Sequence, residues 1–225
     1  MSIHETGKWI GKQMSAKHKH DSTLSSEISK FLIKEHCDNV VDFGCGMGLY
    51  VRDFNEVGLK TCGYDGNPAT PEMTGGTCEI IDLSEDFDLG KKFDWVMSLE
   101  VGEHLPKKYE DVYINNLHKH AKRGIIMSWA VPGQLGDGHV NERDNSYIRS
   151  KFEALGYTED LDAEKLFRKN CKLWWFKKTM FCFRKNDVEM DDKEKEIELD
   201  LETLKIDNEK KYPCNFCPNC GYKLN

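Results

Sequence analysis

The sequence predicts an α/β fold: a doubly wound, mostly parallel sheet followed by a short cysteine-rich tail. Three observations carry that expectation. Strand-like and helix-like patterns alternate through residues 39–130. A glycine-rich turn, Gly44-Cys45-Gly46-Met47-Gly48, follows the first of those strands directly. Aspartates close three successive strands, at Asp42, Asp65 and Asp82.

Taken in order, residues 1–21 form a polar lead-in punctuated by aromatics. Ser22 to Cys37 reads as a helix, with Leu24, Ile28, Phe31 and Leu32 on one face and Asp21 or Ser22 as its cap. Asn39 to Phe43 is an apolar strand, and the glycine turn leads into a helix over Leu49 to Val57. Leu59 to Tyr64 and Thr77 to Ile81 are strands, ending at Asp65 and Asp82. Phe93 to Leu99 is a fourth strand, Lys107 to His120 a helix, and Gly124 to Ala130 a fifth strand. Asp144 to Leu155 is helical and stops at Gly156, a residue suited to a helix C-terminus. Leu173 to Phe183 is aromatic and β-prone. The expected organisation is a lead-in and cover over 1–21, a main domain over 22–185, an acidic linker over 186–210 and a cysteine-rich knuckle over 211–225.

Composition narrows the class. Hydrophobic residues are 39% of the chain, and no apolar run approaches the roughly 18 residues needed to span a bilayer. Met1 to His20 lacks the apolar stretch of a signal peptide, so a cytoplasmic location is expected. Residues 186–210 hold eleven Asp or Glu and four Lys, which accounts for the whole net charge of −7. The remainder is neutral, so a nucleic-acid partner is not indicated. Cys37, Cys45, Cys62, Cys78, Cys171 and Cys182 lie in or beside apolar runs, where cysteine behaves as a small hydrophobe.

The glycine turn excludes two ligand classes. Its spacing is G-x-G-x-G with Leu49 next, so the dinucleotide fingerprint fails, and no Gly-Lys-Ser/Thr follows to make a phosphate loop. The three aspartates point elsewhere. At these strand ends Asp42 suits an ammonium group, Asp65 a pair of ribose hydroxyls and Asp82 the amine of a purine. One ligand with an amino-acid head, a ribose and an adenine satisfies all three, and S-adenosylmethionine has those parts.

Val40-Val41-Asp42-Phe43-Gly44-Cys45-Gly46-Met47-Gly48 resembles motif I of the class I S-adenosylmethionine-dependent methyltransferases. Gly63-Tyr64-Asp65, Ile81-Asp82-Leu83 and Phe93 to Leu105 resemble the following motifs of the small-molecule-type branch. The resemblance spans about residues 20–185 and implies a Rossmann-like methyltransferase fold with a doubly wound, mostly parallel seven-stranded sheet. It implies a cofactor site made by Asp42, Gly44, Cys45, Gly46, Gly48, Asp65, Asp82, Leu83 and Leu99. It also implies that the segment before the first strand covers the cofactor, which would turn Gln13, His18 and Asp21 towards the pocket. A [DNS]-P-P-[YF] pattern is lacking where Ser98-Leu99-Glu100-Val101 stands, which argues against methylation of the exocyclic amines of DNA bases.

Methyl transfer from a sulfonium depends on in-line placement, and a base is needed only where the acceptor must lose a proton. The candidates beside the sheet's carboxyl edge are His139, His104 and Glu100, with Glu103 and Asn141 nearby. Glu103 is equally consistent with an ordinary early-turn carboxylate. His18, His20, His104 and His139 are able to gather a metal, although their spacing does not demand one.

Cys214-x2-Cys217-x2-Cys220-Gly221 resembles one knuckle of a zinc ribbon, so Cys214, Cys217 and Cys220 are candidate ligands of a structural zinc. A fourth ligand would come from a distant Cys or His, the Asn225 carboxylate or another subunit. The knuckle also offers a place for a protein partner. The leading expectation is methyl transfer to a small-molecule acceptor. The alternatives are a nucleic-acid or protein methyltransferase recruited through the knuckle, and an inactive cofactor-binding module.

Overall fold

The structure is a computed structural model that describes residues 2–12 and 18–188. The expectations for Gln13, for the bulk of the acidic linker and for the cysteine knuckle with its zinc lie outside these residues.

A two-stranded antiparallel hairpin, β1 (Ser2–Ile3) and β2 (Trp9–Ile10), precedes the main sheet. Then follow α1 (Ser22–Lys34), β3 (Asn39–Phe43), α2 (Leu49–Glu56), β4 (Lys60–Asp65), α3 (Thr70–Met73), β5 (Cys78–Ile80) and β6 (Phe93–Ser98). The second half holds α4 (Glu110–His120), β7 (Ala121–Ser128), α5 (Asn145–Ala154), β8 (Tyr157–Glu159), α6 (Leu161–Asn170), α7 (Phe176–Thr179) and β9 (Met180–Lys185).

The expected seven-stranded sheet forms, in the order β5-β4-β3-β6-β7-β9-β8. β5, β4, β3, β6 and β7 run parallel, and β9 is inserted antiparallel between β7 and β8. The strand order reverses at β3, with β4 on one side and β6 on the other. A ligand crevice opens at such a switch point, beyond the strand carboxyl ends.

Strand alternation divides the core between two faces. Val41, Phe43 and Val96 pack with Tyr113 and Leu117 of α4 and with Ile148 and Phe152 of α5. Val40, Trp95 and Met97 face the other way, onto Leu24, Ile28 and Phe31 of α1 and Phe167 of α6. Asp21 caps α1 by accepting the N–H groups of Thr23 and Leu24 at 3.1 and 2.9 Å. Among the described residues no helix is long and apolar enough to cross a membrane.

Several elements differ from expectation. The stretch Leu173 to Phe183 is not one strand: α7 takes its middle and β9 begins only at Met180. Its aromatic residues mimic a strand pattern but serve two structures. Helix α6 buries Ala163 and Phe167 but exposes Leu161 and Leu166, which blurs its apolar face, and β8 is only three residues long, so neither announces itself. The lead-in contains the β1–β2 hairpin, whose two-residue strands show no periodicity.

Candidate active site

The carboxyl edge of the sheet holds a cavity of about 340 Å³, in the size range of small-ligand sites. Asp65, Asp82, Leu83, Leu99, Glu100, His104 and His139 all line it, as does Gly44. A smaller space of about 70 Å³ adjoins it, sharing His18, Lys19, Gly44, Tyr50 and Leu99, and adds Asp42 and Cys45 to the wall. Gly46 and Gly48 do not line either space. Gly46 lies beneath the His18 ring, and Gly48 sits at the start of α2 against Cys78 and Thr74.

The turn after β3 is held from behind. The N–H groups of Gly44 and Cys45 both donate to the Tyr64 carbonyl, at 2.7 and 3.1 Å. Gly44 has φ +85°, and a Cβ there would stand 2.3 Å from Cγ2 of Val101. Only glycine permits both that backbone and that approach. The Asp65 carboxylate accepts the Gly46 N–H at 2.9 Å and the Asn67 N–H at 2.8 Å, so β4 and the turn are clamped together beside the cavity. Asp42 is 3% exposed, and burial, reinforced by Cys78 and Asp65, pushes its carboxyl well above the ordinary carboxylate value. An entering cation would be its natural counter-charge.

Asp82 is already engaged. Its Oδ2 takes the Lys8 ammonium at 2.7 Å, and its Oδ1 takes the backbone N–H and hydroxyl of Ser84 at 3.0 and 2.6 Å. Burial raises its pKa, but these partners outweigh it and hold the carboxyl below its usual value. Lys8 belongs to the hairpin, so this pair brings the lead-in to the edge of the cavity. Asn67, fully buried, fastens it further: its side chain accepts the Gly11 N–H at 3.1 Å and donates to the Gly11 carbonyl at 3.2 Å.

Of the other lead-in residues, His18 lines both spaces. Burial lowers its pKa and Asp65 offsets part of that shift. His20 pairs with Asp53 at 2.9 Å. Asp21 does not line the cavity. Besides capping α1, its Oδ2 accepts the N–H groups of Lys172 and Leu173 at 2.5 and 2.7 Å. Its burial and four backbone donors make it a structural anchor, in place of the pocket role expected for it.

The turn after β6 collects the acid–base candidates. Glu100 has φ +54°, a strained conformation for a residue with a side chain. Its carboxylate accepts Gln134 at 2.6 Å and Thr179 at 3.1 Å, and burial raises its pKa despite those bonds. His104 is pushed down to about 4, by burial first and His139 second, so it is neutral at physiological pH. His139 lies edge-on to His104, with ring centres 5.0 Å apart, and its Nδ1 meets Glu142 Oε1 at 3.1 Å. Asn141 is occupied structurally, donating to Glu110 at 3.0 Å and accepting Trp129 Nε1 on its carbonyl at 2.7 Å.

Two features of the site escape the sequence reading. Trp174, Trp175 and Phe176 wall the cavity from the segment before β9. Gly102 lies under the Trp129 ring, where a Cβ would stand 2.2 Å from Cζ3. A glycine flanked by Val101 and Glu103 was the available signal for so close an approach.

A family model described as a methyltransferase domain matches residues 16–169. Among curated proteins none matches in sequence. Solved structures share the architecture. A magnesium protoporphyrin IX methyltransferase from Synechocystis aligns with TM-score 0.55 at 18% identity, over 72% of this chain and 81% of that one. A sugar N-methyltransferase from Streptoalloteichus aligns with TM-score 0.58 at 13% identity, over 74% and 88%. An amino pentose methyltransferase from Micromonospora aligns with TM-score 0.55 at 14% identity, over 72% and 89%.

Proposed function

This chain belongs to the methyltransferase-domain family of S-adenosylmethionine-dependent enzymes, and on that premise we propose that it methylates a small molecule held over the carboxyl edge of its sheet. The observation that carries this reading is the convergence of Asp42, Gly44, Asp65, Asp82 and Leu83 on two adjoining spaces.

In this reading Asp65 accepts the ribose hydroxyls, and Asp82, Leu83 and Ser84 border the adenine. Asp42, with the turn at Gly44 and Cys45, receives the amino-acid end. S-adenosylmethionine supplies an electrophilic methyl group on a sulfonium. The chain's own contribution is placement. The hairpin excludes water from one side through the Lys8–Asp82 pair, and Trp174, Trp175 and Phe176 provide an apolar wall for the acceptor. His139 and His104 stand beside the acceptor space; burial makes His104 a weak base, so a proton leaving the acceptor is assigned to His139. The aromatic wall suits an organic small molecule, and fold neighbours named for a porphyrin and for a sugar are in keeping with that class.

The test is a screen of fractionated metabolite extracts with the purified full chain, scored by conversion of S-adenosylmethionine to S-adenosylhomocysteine. A small, protease- and nuclease-resistant fraction is expected to stimulate turnover. Turnover stimulated only by RNA, DNA or protein fractions would overturn the small-acceptor reading.

A further inference from the structure

Glu103 follows β6 by a short turn and is fully buried, yet neither carboxylate oxygen has a hydrogen-bond partner. The Glu103 and Ala130 backbone amides lie near enough to soften its environment without bonding in good geometry, and the Glu100 carboxyl beside it adds like charge. A buried carboxylate left this way is costly unless something else completes it. The cofactor reading gives Glu103 no task.

What surrounds it is a set of metal-ligand types. One ligand atom each from Glu103, His104 and His139 lies within 4.8 Å of the other two. His139 Nε2 is 4.0 Å from Glu103 Oε1, and His104 Nδ1 is buried without a hydrogen-bond partner. The His139 ring is oriented for this. Glu142 holds its Nδ1 at 3.1 Å, and the same carboxylate accepts the N–H groups of Gly133 and Leu135 at 2.7 and 2.9 Å. The loop is seated on the turn by the N–H groups of Val140 and Asn141, both donating to the Glu103 carbonyl at 2.9 Å. A carboxylate that fixes the far nitrogen of an imidazole is the usual support of a metal-binding histidine.

We propose that Glu103, His104 and His139 form a site for a divalent transition-metal cation at the acceptor end of the cavity. Two imidazoles and one carboxylate suit zinc, manganese or iron(II), whereas magnesium and calcium take oxygen ligands. Bonds of about 2 Å require the three ligand atoms to draw together slightly from their present separation. Three protein ligands leave a coordination position open, and His104 and His139 both line the cavity, so that position faces the acceptor. An acceptor that presents an oxygen to the cation follows from this. That last step rests on the methyl-transfer reading, whereas the metal site does not. With the cation bound, the two imidazoles are ligands and not bases, and the cation itself would ease loss of a proton from the acceptor's oxygen.

The experiment uses the full chain carrying C214S, C217S and C220S, so that tail thiols cannot compete. It is stripped with a chelator and titrated with Co2+, followed by visible absorption and calorimetry. Uptake of one equivalent is expected, with ligand-field bands and no thiolate charge-transfer band. His139→Ala and Glu103→Gln should each weaken uptake by at least about tenfold. Failure to take up stoichiometric Co2+, or uptake indifferent to both variants, would overturn the site. Should Glu103→Gln fail to give a cooperative melt, His139→Ala decides alone, since His139 sits on a loop. S-adenosylmethionine affinity is measured in parallel: its loss with Co2+ uptake intact strikes the cofactor reading and leaves the metal site standing.

Discussion

Lys8 and Asp82, seventy-four positions apart, meet in an ion pair of 2.7 Å that ties the β1–β2 hairpin to the strand end beside the cavity. The pair is partly shielded, with side-chain exposures of 26% and 17%. Partial shielding strengthens its attraction relative to a fully solvated bridge while sparing it the full desolvation cost of a buried one.

Lys8→Ala should loosen the cover and leave the domain intact. The expected effect is roughly threefold to tenfold weaker S-adenosylmethionine binding, corresponding to about 0.5–1.5 kcal/mol. Stopped-flow dissociation together with a thermal melt checks this. A lowered melting temperature with an unchanged dissociation rate would assign the pair to stability alone.

Asp65→Ala removes the carboxylate read as the ribose acceptor. Loss of charge-assisted hydrogen bonds predicts affinity lower by about ten- to a hundredfold. The Gly46 and Asn67 amides lose a partner too, so Asp65→Asn is the sharper comparison. Calorimetry giving wild-type affinity for both variants would remove the ribose assignment.

Gly102→Ala places a methyl group inside the Trp129 ring. Overpacking of this kind costs about 1–3 kcal/mol. Denaturant unfolding should show a lower midpoint with an unaltered slope. Wild-type stability would mean that the Trp129 contact relaxes freely.

Glu35 at the end of α1 is bridged by Arg184 of β9, at 2.6 and 2.9 Å. Those hydrogen bonds hold the Glu35 carboxyl below its ordinary value of 4.5, outweighing burial. A carboxyl lowered on folding stabilises the protein above its unfolded pKa, and that stabilisation fades as pH falls through the folded value. Glu35→Gln should thus be less stable than wild type at neutral pH and converge with it in acid. A stability gap constant across that range would contradict the linkage.

The sheet was legible because its signals are local. Val40 to Gly48 packs a buried strand and a tight turn into nine residues, and Asp65 and Asp82 mark the ends of the next two strands. Glu103 was legible as a carboxylate near the site, but its burial without a partner was not, because that is a property of the neighbours, and His139 reaches it only through a loop seated by backbone bonds. Trp174 and Trp175 carry a strand-like pattern because aromatic, β-prone stretches look alike whether they pair or wall a pocket. The hairpin was silent for a different reason: its anchors, Lys8 to Asp82 and Gly11 to Asn67, are contacts at long sequence range.

Asp21 has a consequence for how the enzyme comes into being on the ribosome. It joins the start of α1 to the amides of Lys172 and Leu173, immediately before the tryptophans of the cavity wall. A nascent chain that has emerged as far as β7 already owns the whole glycine turn and its aspartates. It lacks the wall, and Asp21 is missing two of its four donors. On the proposed reading, the pocket is complete only once β9, the last strand among the described residues, has been delivered and slotted between β7 and β8.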